Sequence, residues 1–297
     1  MQETKNFLKK IGLPSGDLYN LPKSKKRFPD GGQYRFEVPG IQGPGAMYSL
    51  LEELKRLDLS IHRVTQTKGI MLLSDDEIKK MVYSSKEYNV ELTLAVGPRA
   101  TYDTSASVLT VEGQRMGYRL RGQDQIVRAI EDIKRAAAFG CRTFLVYDEG
   151  LLWILNEMRA RGEIQSDIKF KVSAHMGHGN PCSVKLLESM GANSVNPVRD
   201  IQLQMLAALR EAVDIPLDVH TENPISSGGF IRHYEVPEMI RVCAPIYLKT
   251  GGSVARSHSW DTNEADAIKR AKQVELVKRV IDTYYPEAIC SPKGSYK

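Results

Sequence analysis

The sequence is poor in cysteine and has no long apolar run. Its four cysteines are far apart in 297 residues and form no CxxC pair, which argues against a closely spaced zinc site or a disulfide-framed fold. No stretch approaches the roughly 20 apolar residues that cross a membrane, and the amino terminus lacks the apolar core of a secretion signal. We therefore expect a soluble, cytoplasmic protein that does not enter a membrane.

A dinucleotide-binding glycine motif and a strong charge imbalance are also absent. The sequence GIQGPG at 40–45 contains a proline and lacks the GxGxxG spacing, so it indicates a turn. The net charge is only +5, although four of the cations lie together in KSKKRF at 23–28. Such a run is typical of a solvated surface, and contact with an anion or a nucleic acid is the alternative.

Strand-like and helix-like patterns alternate from residue 34 onward. The capping box formed by Ser74 and Glu77 begins one predicted helix, and Gly140 ends another. Eight strand–helix units fit between residues 34 and 285, which predicts an α/β fold of the (β/α)8 TIM-barrel type; an open doubly wound sheet is the alternative. The predicted organisation is an N-terminal extension at 1–33 and a barrel catalytic domain at 34–297, with a lid-like loop at 97–121.

Polar residues alternate with apolar ones in several predicted strands. Because side chains alternate in direction along a strand, PLDVH at 216–220 should point Asp218 and His220 into the barrel, with Glu222 following. In the fourth strand the alternation leaves open whether Tyr147 with Glu149, or Asp148, points inward. The other residues that it places inward are Glu37, Thr93, Ser173, His175, Asn196, Tyr247 and Lys249. Burying such groups unpaired is costly, so we expect a pocket at the carboxyl ends of the strands; structural salt bridges are the alternative.

Histidines and carboxylates at this pocket predict acid–base chemistry. The predicted catalytic residues are His175, His220, Glu222, Glu37 and Lys249. Alternatively the histidines are hydrogen-bonded core residues, or a divalent metal ion is bound by His175, His178, His220 and Glu149. No other cofactor is indicated. For Lys249 we favour the role of counter-charge to an anion, with a Schiff-base amine or an ion-pair partner as alternatives.

Two glycine- and serine-rich loops follow the last two predicted strands: ISSGG at 225–229 follows the seventh, and GGS at 251–253 follows the eighth. Barrels often bind anions at these positions through backbone N–H groups, while flexible turns are the alternative. The predicted anion-binding residues are Ser227, Gly228, Gly229, Gly251, Gly252, Ser253 and Arg99, the last from the lid-like loop.

The segment 190–229 resembles part of the collagenase-like peptidase family U-32. Arg199 with Asp200, then His220, then Ser227 with Gly228 match the family's pattern in order. The resemblance implies a barrel fold and a peptidase-like or related activity. In family members, cysteines that can bind an iron–sulfur cluster follow this segment, but here only Cys243 lies nearby, so the resemblance gives no basis for such a cluster.

These observations predict a barrel enzyme that acts on a small anionic substrate, as a lyase or a hydrolase, by His/Glu acid–base or metal-assisted chemistry. A homo-oligomer is compatible with the sequence. The alternative is a barrel that binds RNA or protein through segment 23–28 and the lid arginines.

Overall fold

Eight parallel strands close into a barrel in which every strand pairs with its neighbours in chain order, β1 to β8, and β8 pairs back with β1. The computed structural model describes residues 1–99, 110–111, 113, 117–255 and 262–295. The strands are β1 (Tyr34–Pro39), β2 (Arg63–Gln66), β3 (Glu91–Ala95), β4 (Thr143–Val146), β5 (Lys169–Val172), β6 (Ser194–Val195), β7 (Leu217–His220) and β8 (Ile246–Lys249). The protein is therefore a (β/α)8 TIM barrel, and the predicted fold is confirmed.

Helices follow the strands and surround the barrel. In the described residues they are α1 (Gln2–Lys10), α2 (Pro44–Arg56), α3 (Asp75–Glu87), α4 (Gly122–Ala138), α5 (Glu149–Ala160), α6 (Pro181–Ser189), α7 (Leu203–Ala212), α8 (Val236–Cys243) and α9 (Glu264–Tyr284). The apolar core lies between the strands and these helices. Phe36 and Val38 of β1, for example, share one buried cluster with Leu50 of α2 and Val274 of α9. One set of alternating strand residues thus faces the helices, which leaves the other set for the barrel interior.

Polar residues at the helix starts fix where several βα loops end. Ser74 and Glu77 form the predicted capping box at α3, each side chain bonding to the other's backbone N–H. Asp148 caps α5 by accepting a hydrogen bond from Leu151 N at 3.1 Å. Because Asp148 is used in this way and Tyr147 lines the barrel mouth, the ambiguity at the fourth strand is resolved in favour of Tyr147 pointing inward.

The residues before β1 pack against the amino end of the barrel. The Phe28 ring contacts the Tyr247 ring edge-on, with ring centroids 5.4 Å apart. Lys26 Nζ donates to the Val213 carbonyl at 2.6 Å and pairs with Asp214 at the same distance, while Arg27 donates to nearby backbone carbonyls. Two cations of the basic run at 23–28 therefore have partners within the chain, and binding of a nucleic acid by this run stays a prediction.

None of the helices in the described part of the chain has the length and apolarity needed to cross a membrane. Most of the predicted lid-like loop, residues 100–109, 112 and 114–116, lies outside the described residues.

Candidate active site in the barrel mouth

Charges of alternating sign lie side by side around the inside of the barrel. In the parallel register, Glu37 of β1 lies opposite Arg63 of β2 on one side and Lys249 of β8 on the other. Arg63 is in turn in register with Glu91 of β3, and Lys249 with His220 of β7. Because residues in register point to the same side of a sheet, this order brings the carboxylates of Glu37 and Glu91 next to cations.

The inward charges form one buried network. The Arg63 guanidinium lies 2.6 Å from Glu91, 3.1 Å from Asp218 and 3.3 Å from Glu37. Lys171 bonds to Glu37 and lies 2.9 Å from Asp218. Burial alone would raise the pKa of Glu37, but Lys171, Lys249 and Arg63 outweigh that effect and hold it well below its usual range. Glu37 is therefore ionised, because cations surround its carboxylate in a region that excludes water.

A cavity of about 250 Å³ opens above this network, at the carboxyl ends of the strands. Its basic lining residues are Lys68, Arg99, Arg199, Lys249 and Arg270. Among the described residues, the lining includes no aspartate or glutamate. The cavity is also lined by His175 and His220, so both predicted catalytic histidines lie where the sequence predicted a pocket. A small site with this charge favours an anionic ligand.

One wall of the cavity is made of stacked rings and arginines. The Tyr118 ring lies against the His175 ring, with centroids 3.7 Å apart, and the Arg99 guanidinium lies 4.5 Å from the Tyr147 ring. Arg199 Nη2 donates to His175 Nε2 at 2.7 Å, so this ring nitrogen is an acceptor and a proton on His175 resides on Nδ1. Stacking and hydrogen bonding together fix the His175 ring in place.

The opposite wall is formed by His220 and Lys249. Burial, and then the charges of Lys249 and Arg199, lower the pKa of His220 well below its usual value, so its imidazole is neutral near pH 7. Burial also lowers the pKa of Lys249 to about 7, against the opposing effect of Glu37. Two nitrogen groups that are wholly or partly unprotonated near neutral pH therefore lie on neighbouring strands at the cavity.

Three of the four residues predicted to bind a metal ion make hydrogen bonds within the chain, and His178 and Glu149 bond to each other. His178 Nε2 lies 3.0 Å from Glu149, and Arg119 also bonds to Glu149. Burial would raise the pKa of Glu149, but the hydrogen bonds from His178 and Arg119 lower it to about 2. His175 bonds to Arg199 instead. No group of three or more histidine, cysteine or carboxylate side chains in the described residues is placed to hold a metal ion.

Glu222 and most of the glycine loops lie away from the cavity lining. Glu222 is completely buried, and its carboxylate accepts hydrogen bonds from the backbone N–H of Gly251 and the hydroxyl of Ser253. The carboxylate therefore holds the loop after β8. It does not line the cavity, although the sequence predicted that it would. Of the seven predicted anion-binding residues, only Arg99 and Gly252 line the cavity; the other five are Ser227, Gly228, Gly229, Gly251 and Ser253. Glu37 does not line the cavity, but its carboxylate lies 3.6 Å from the amine of Lys249, which does.

Several site residues were missed by the sequence analysis. Arg63 and Lys171 have the same inward direction as Thr65 and Ser173, so continuing the alternation toward the strand starts would have found them. Arg199 was noted only in the family resemblance. Arg270 comes from a helix, and its guanidinium donates to the carbonyls of Pro39 and Gly251 at 2.9 and 2.7 Å. No pattern in the sequence indicates that this helix residue reaches the barrel mouth.

The comparisons with known proteins agree with the barrel fold. No protein-family model matches the sequence, and no curated protein matches it. A truncated 3-deoxy-D-arabino-heptulosonate 7-phosphate synthase from Thermotoga maritima is 10% identical, with a TM-score of 0.51, over 87% of this chain and 90% of that one. The native KDPGal structure is also 10% identical, with a TM-score of 0.50, over 88% of this chain and 99% of that one. These likenesses define a TIM-barrel protein.

A U32 peptidase is among the similar structures as well. It is 13% identical, with a TM-score of 0.44, over 79% of this chain and 98% of that one. The likeness of segment 190–229 to this family stays a resemblance, because no protein-family model matches the sequence.

Proposed function

We propose that the chain is an enzyme that binds a small anionic substrate in the barrel-mouth cavity and acts on it by acid–base chemistry, as a lyase or a hydrolase. The observation that carries this proposal is the cavity lining, which has five basic residues and, in the described part of the chain, no carboxylate. Active sites of TIM-barrel enzymes are found at this end of the barrel.

The cations of the lining are held in place before a ligand binds. Arg270 is anchored by two backbone carbonyls, and Arg99 Nη2 donates to the Thr67 carbonyl at 3.0 Å. Arg199 is bonded to the stacked His175 ring. A fixed cation in a site shielded from water attracts an anion strongly, because little reorganisation is needed when the anion arrives.

The acid–base roles fall to His220 and Lys249 rather than to carboxylates. Glu37 and Glu222 are buried outside the cavity lining, whereas His220 and Lys249 line it. A neutral His220 can accept a proton from a substrate or donate a hydrogen bond to it, and a neutral fraction of Lys249 can do the same. Glu37 supports this chemistry by placing a negative charge 3.6 Å from the amine.

Calorimetric titration with inorganic phosphate and with small carboxylates tests the binding step. We expect both kinds of anion to bind, more weakly at high salt. Replacing Arg199 with glutamine should weaken binding by about tenfold or more, equivalent to about 1.4 kcal/mol. The matched control is Arg161→Gln, because the Arg161 side chain is 72% exposed and pairs with Glu157 on the surface of α5.

Turnover is tested by incubating the protein with a panel of phosphorylated and carboxylated metabolites and following the mixture by NMR. The His220→Asn variant should bind anions but leave the panel unchanged. If no anion binds at low salt, or if Arg161→Gln weakens binding as much as Arg199→Gln, the proposed function is wrong.

A further inference from the structure

Among the described residues, two lysines of the barrel interior are buried, Lys171 and Lys249, and they differ in how their charge is compensated. Lys171 is fully paired, since its amine contacts the carboxylates of both Glu37 and Asp218. Among the residues that the structure describes, Lys249 has one carboxylate within 4 Å, that of Glu37, and at 3.6 Å this contact is too long for a hydrogen bond. Both Glu37 oxygens are already engaged, one by Thr65 and the other by Lys171. Of the two, Lys249 is the lysine that lines the cavity.

The surroundings of Lys249 suit an amine that changes its protonation state. When the Asn196 carboxamide is oriented to satisfy its neighbours, its oxygen accepts a hydrogen bond from Lys249 Nζ at 2.6 Å and its nitrogen donates to the Asp218 carbonyl. This oxygen can accept a hydrogen bond from either the charged or the neutral amine. His220, on the neighbouring strand, is in register with Lys249 and supplies a neutral base at the same cavity.

We propose that Lys249 is a nucleophile that forms a Schiff base with a small 2-oxo acid bound in the barrel-mouth cavity. The inference rests on the proposed function, because the same cationic lining would hold the carboxylate of the substrate. It adds the substrate class, a carbonyl next to that carboxylate, and assigns a covalent role to the lysine.

The reaction balances without any further reactant. The neutral Lys249 amine attacks the carbonyl carbon, so that a C–N bond forms while the electron pair of the C=O bond moves to the oxygen. His220 takes one proton from the ammonium nitrogen so formed and passes it to the alkoxide oxygen, which becomes a hydroxyl group. It then takes the second N–H proton and passes it to this hydroxyl group, which leaves as water while the nitrogen lone pair forms the C=N bond. The product is an iminium ion once the nitrogen is protonated, and it can withdraw electrons from the adjacent carbon.

The depressed pKa of Lys249 supports this role. Burial lowers it to about 7, so a substantial fraction of the amine is unprotonated at neutral pH. An ordinary surface lysine is almost entirely protonated there and cannot attack a carbonyl. The second lysine of the cavity lining, Lys68, lies on the loop after β2 and is less buried.

Borohydride trapping tests the inference on the whole protein. The protein is incubated with glyoxylate, pyruvate or 2-oxobutyrate, reduced with sodium borohydride and analysed by intact and peptide mass spectrometry. We expect one adduct per chain, with the mass of the 2-oxo acid less one oxygen atom, on the peptide that contains Lys249. Lys249→Arg should abolish the adduct while keeping a positive charge. Lys55→Arg, at a lysine whose side chain is 72% exposed on α2, should leave the adduct unchanged.

The outcomes separate this inference from the proposed function. If phosphate binds but no 2-oxo acid gives an adduct, or if the adduct lies on Lys68 or is scattered over surface lysines, the Schiff-base inference is wrong and the proposed function stands. If neither phosphate nor a 2-oxo acid binds, the proposed function itself is wrong. Because peptide mapping is done on the unaltered protein, the test does not depend on the folding of Lys249→Arg.

Discussion

The burial of Lys249 has a measurable consequence for the pH dependence of stability. In the folded protein the pKa of Lys249 is lowered from 10.5 to about 7, mainly by burial. Lys249→Met removes this titration and keeps a side chain of similar length. Glu37 retains Lys171 and Arg63 as partners in the variant, so no buried carboxylate is left alone.

The direction of the effect follows from counting protons. Between the folded and the unfolded pKa of Lys249, the unfolded chain carries a proton on this amine that the folded protein has largely lost. Stability rises with pH wherever the unfolded state binds more protons, so the wild type gains stability relative to Lys249→Met as the pH increases above about 7. Below that pH both states are protonated, and the destabilising effect of the buried charge is fully present.

The size of the expected stability change is set by the one proton that the unfolded chain holds on Lys249 and the folded protein has lost. Such a difference changes the free energy of unfolding by at most about 1.4 kcal/mol per pH unit. From about pH 7.5 to about pH 9.5, the wild type should therefore gain on the order of 2 to 3 kcal/mol relative to the variant. This is a large fraction of the about 5–15 kcal/mol that stabilises a typical folded protein.

Urea unfolding followed by circular dichroism at three pH values in this range measures the difference. Lys55→Met is the matched control, because it removes a lysine from the exposed surface of α2, and its difference from the wild type should stay nearly constant. Parallel curves for the wild type and Lys249→Met would refute the reasoning, since they would mean that the folded protein keeps the Lys249 proton throughout the range.

Three further substitutions test the contacts around the barrel. Arg63→Met removes the guanidinium shared by three buried carboxylates. It should lower the free energy of unfolding, measured in urea, by about 3–5 kcal/mol. A change below about 1 kcal/mol would show that the network is dispensable for stability. Glu222→Gln weakens the acceptor for the loop after β8 and should cost about 1–3 kcal/mol in the same assay; an unchanged midpoint would contradict this role. Arg119→Met breaks a pair with Glu149 in which both side chains are about one-third exposed, so we expect a loss of at most about 1 kcal/mol, and a larger loss would show that the pair is not screened by water.

The fold could be predicted from the sequence because its local signals agree with one another. Ser74 with Glu77 marked the start of α3, and Gly140, with its positive φ of 100°, follows the end of α4 as predicted. The apolar residues at alternate strand positions predicted which side chains pack against the helices. The number of strand–helix units then left few architectures to choose from.

The candidate site could be predicted only as far as the strands extend. Asp218 and His220 lie within β7, where alternation fixes the direction of each side chain, and both are in the interior as predicted. Glu222 lies two residues beyond the strand end, where the alternation no longer applies, and it bonds to the loop after β8. For the same reason, Arg199 and Tyr118 could not be placed at the cavity, since the path of a loop is decided by tertiary contacts.

The register of the barrel links its stability to its proposed chemistry. Placing cations and carboxylates on neighbouring strands allows charges to be buried, because each one meets an opposite charge instead of water. The cations of the interior are not equally close to their carboxylate partners, however. Arg63 and Lys171 lie within 3.3 Å of the carboxylates that they contact. Lys249, which lines the cavity, lies 3.6 Å from Glu37. The same arrangement that holds the interior together therefore leaves Lys249 less compensated than Lys171 and places it at the cavity, where burial makes its proton easier to lose.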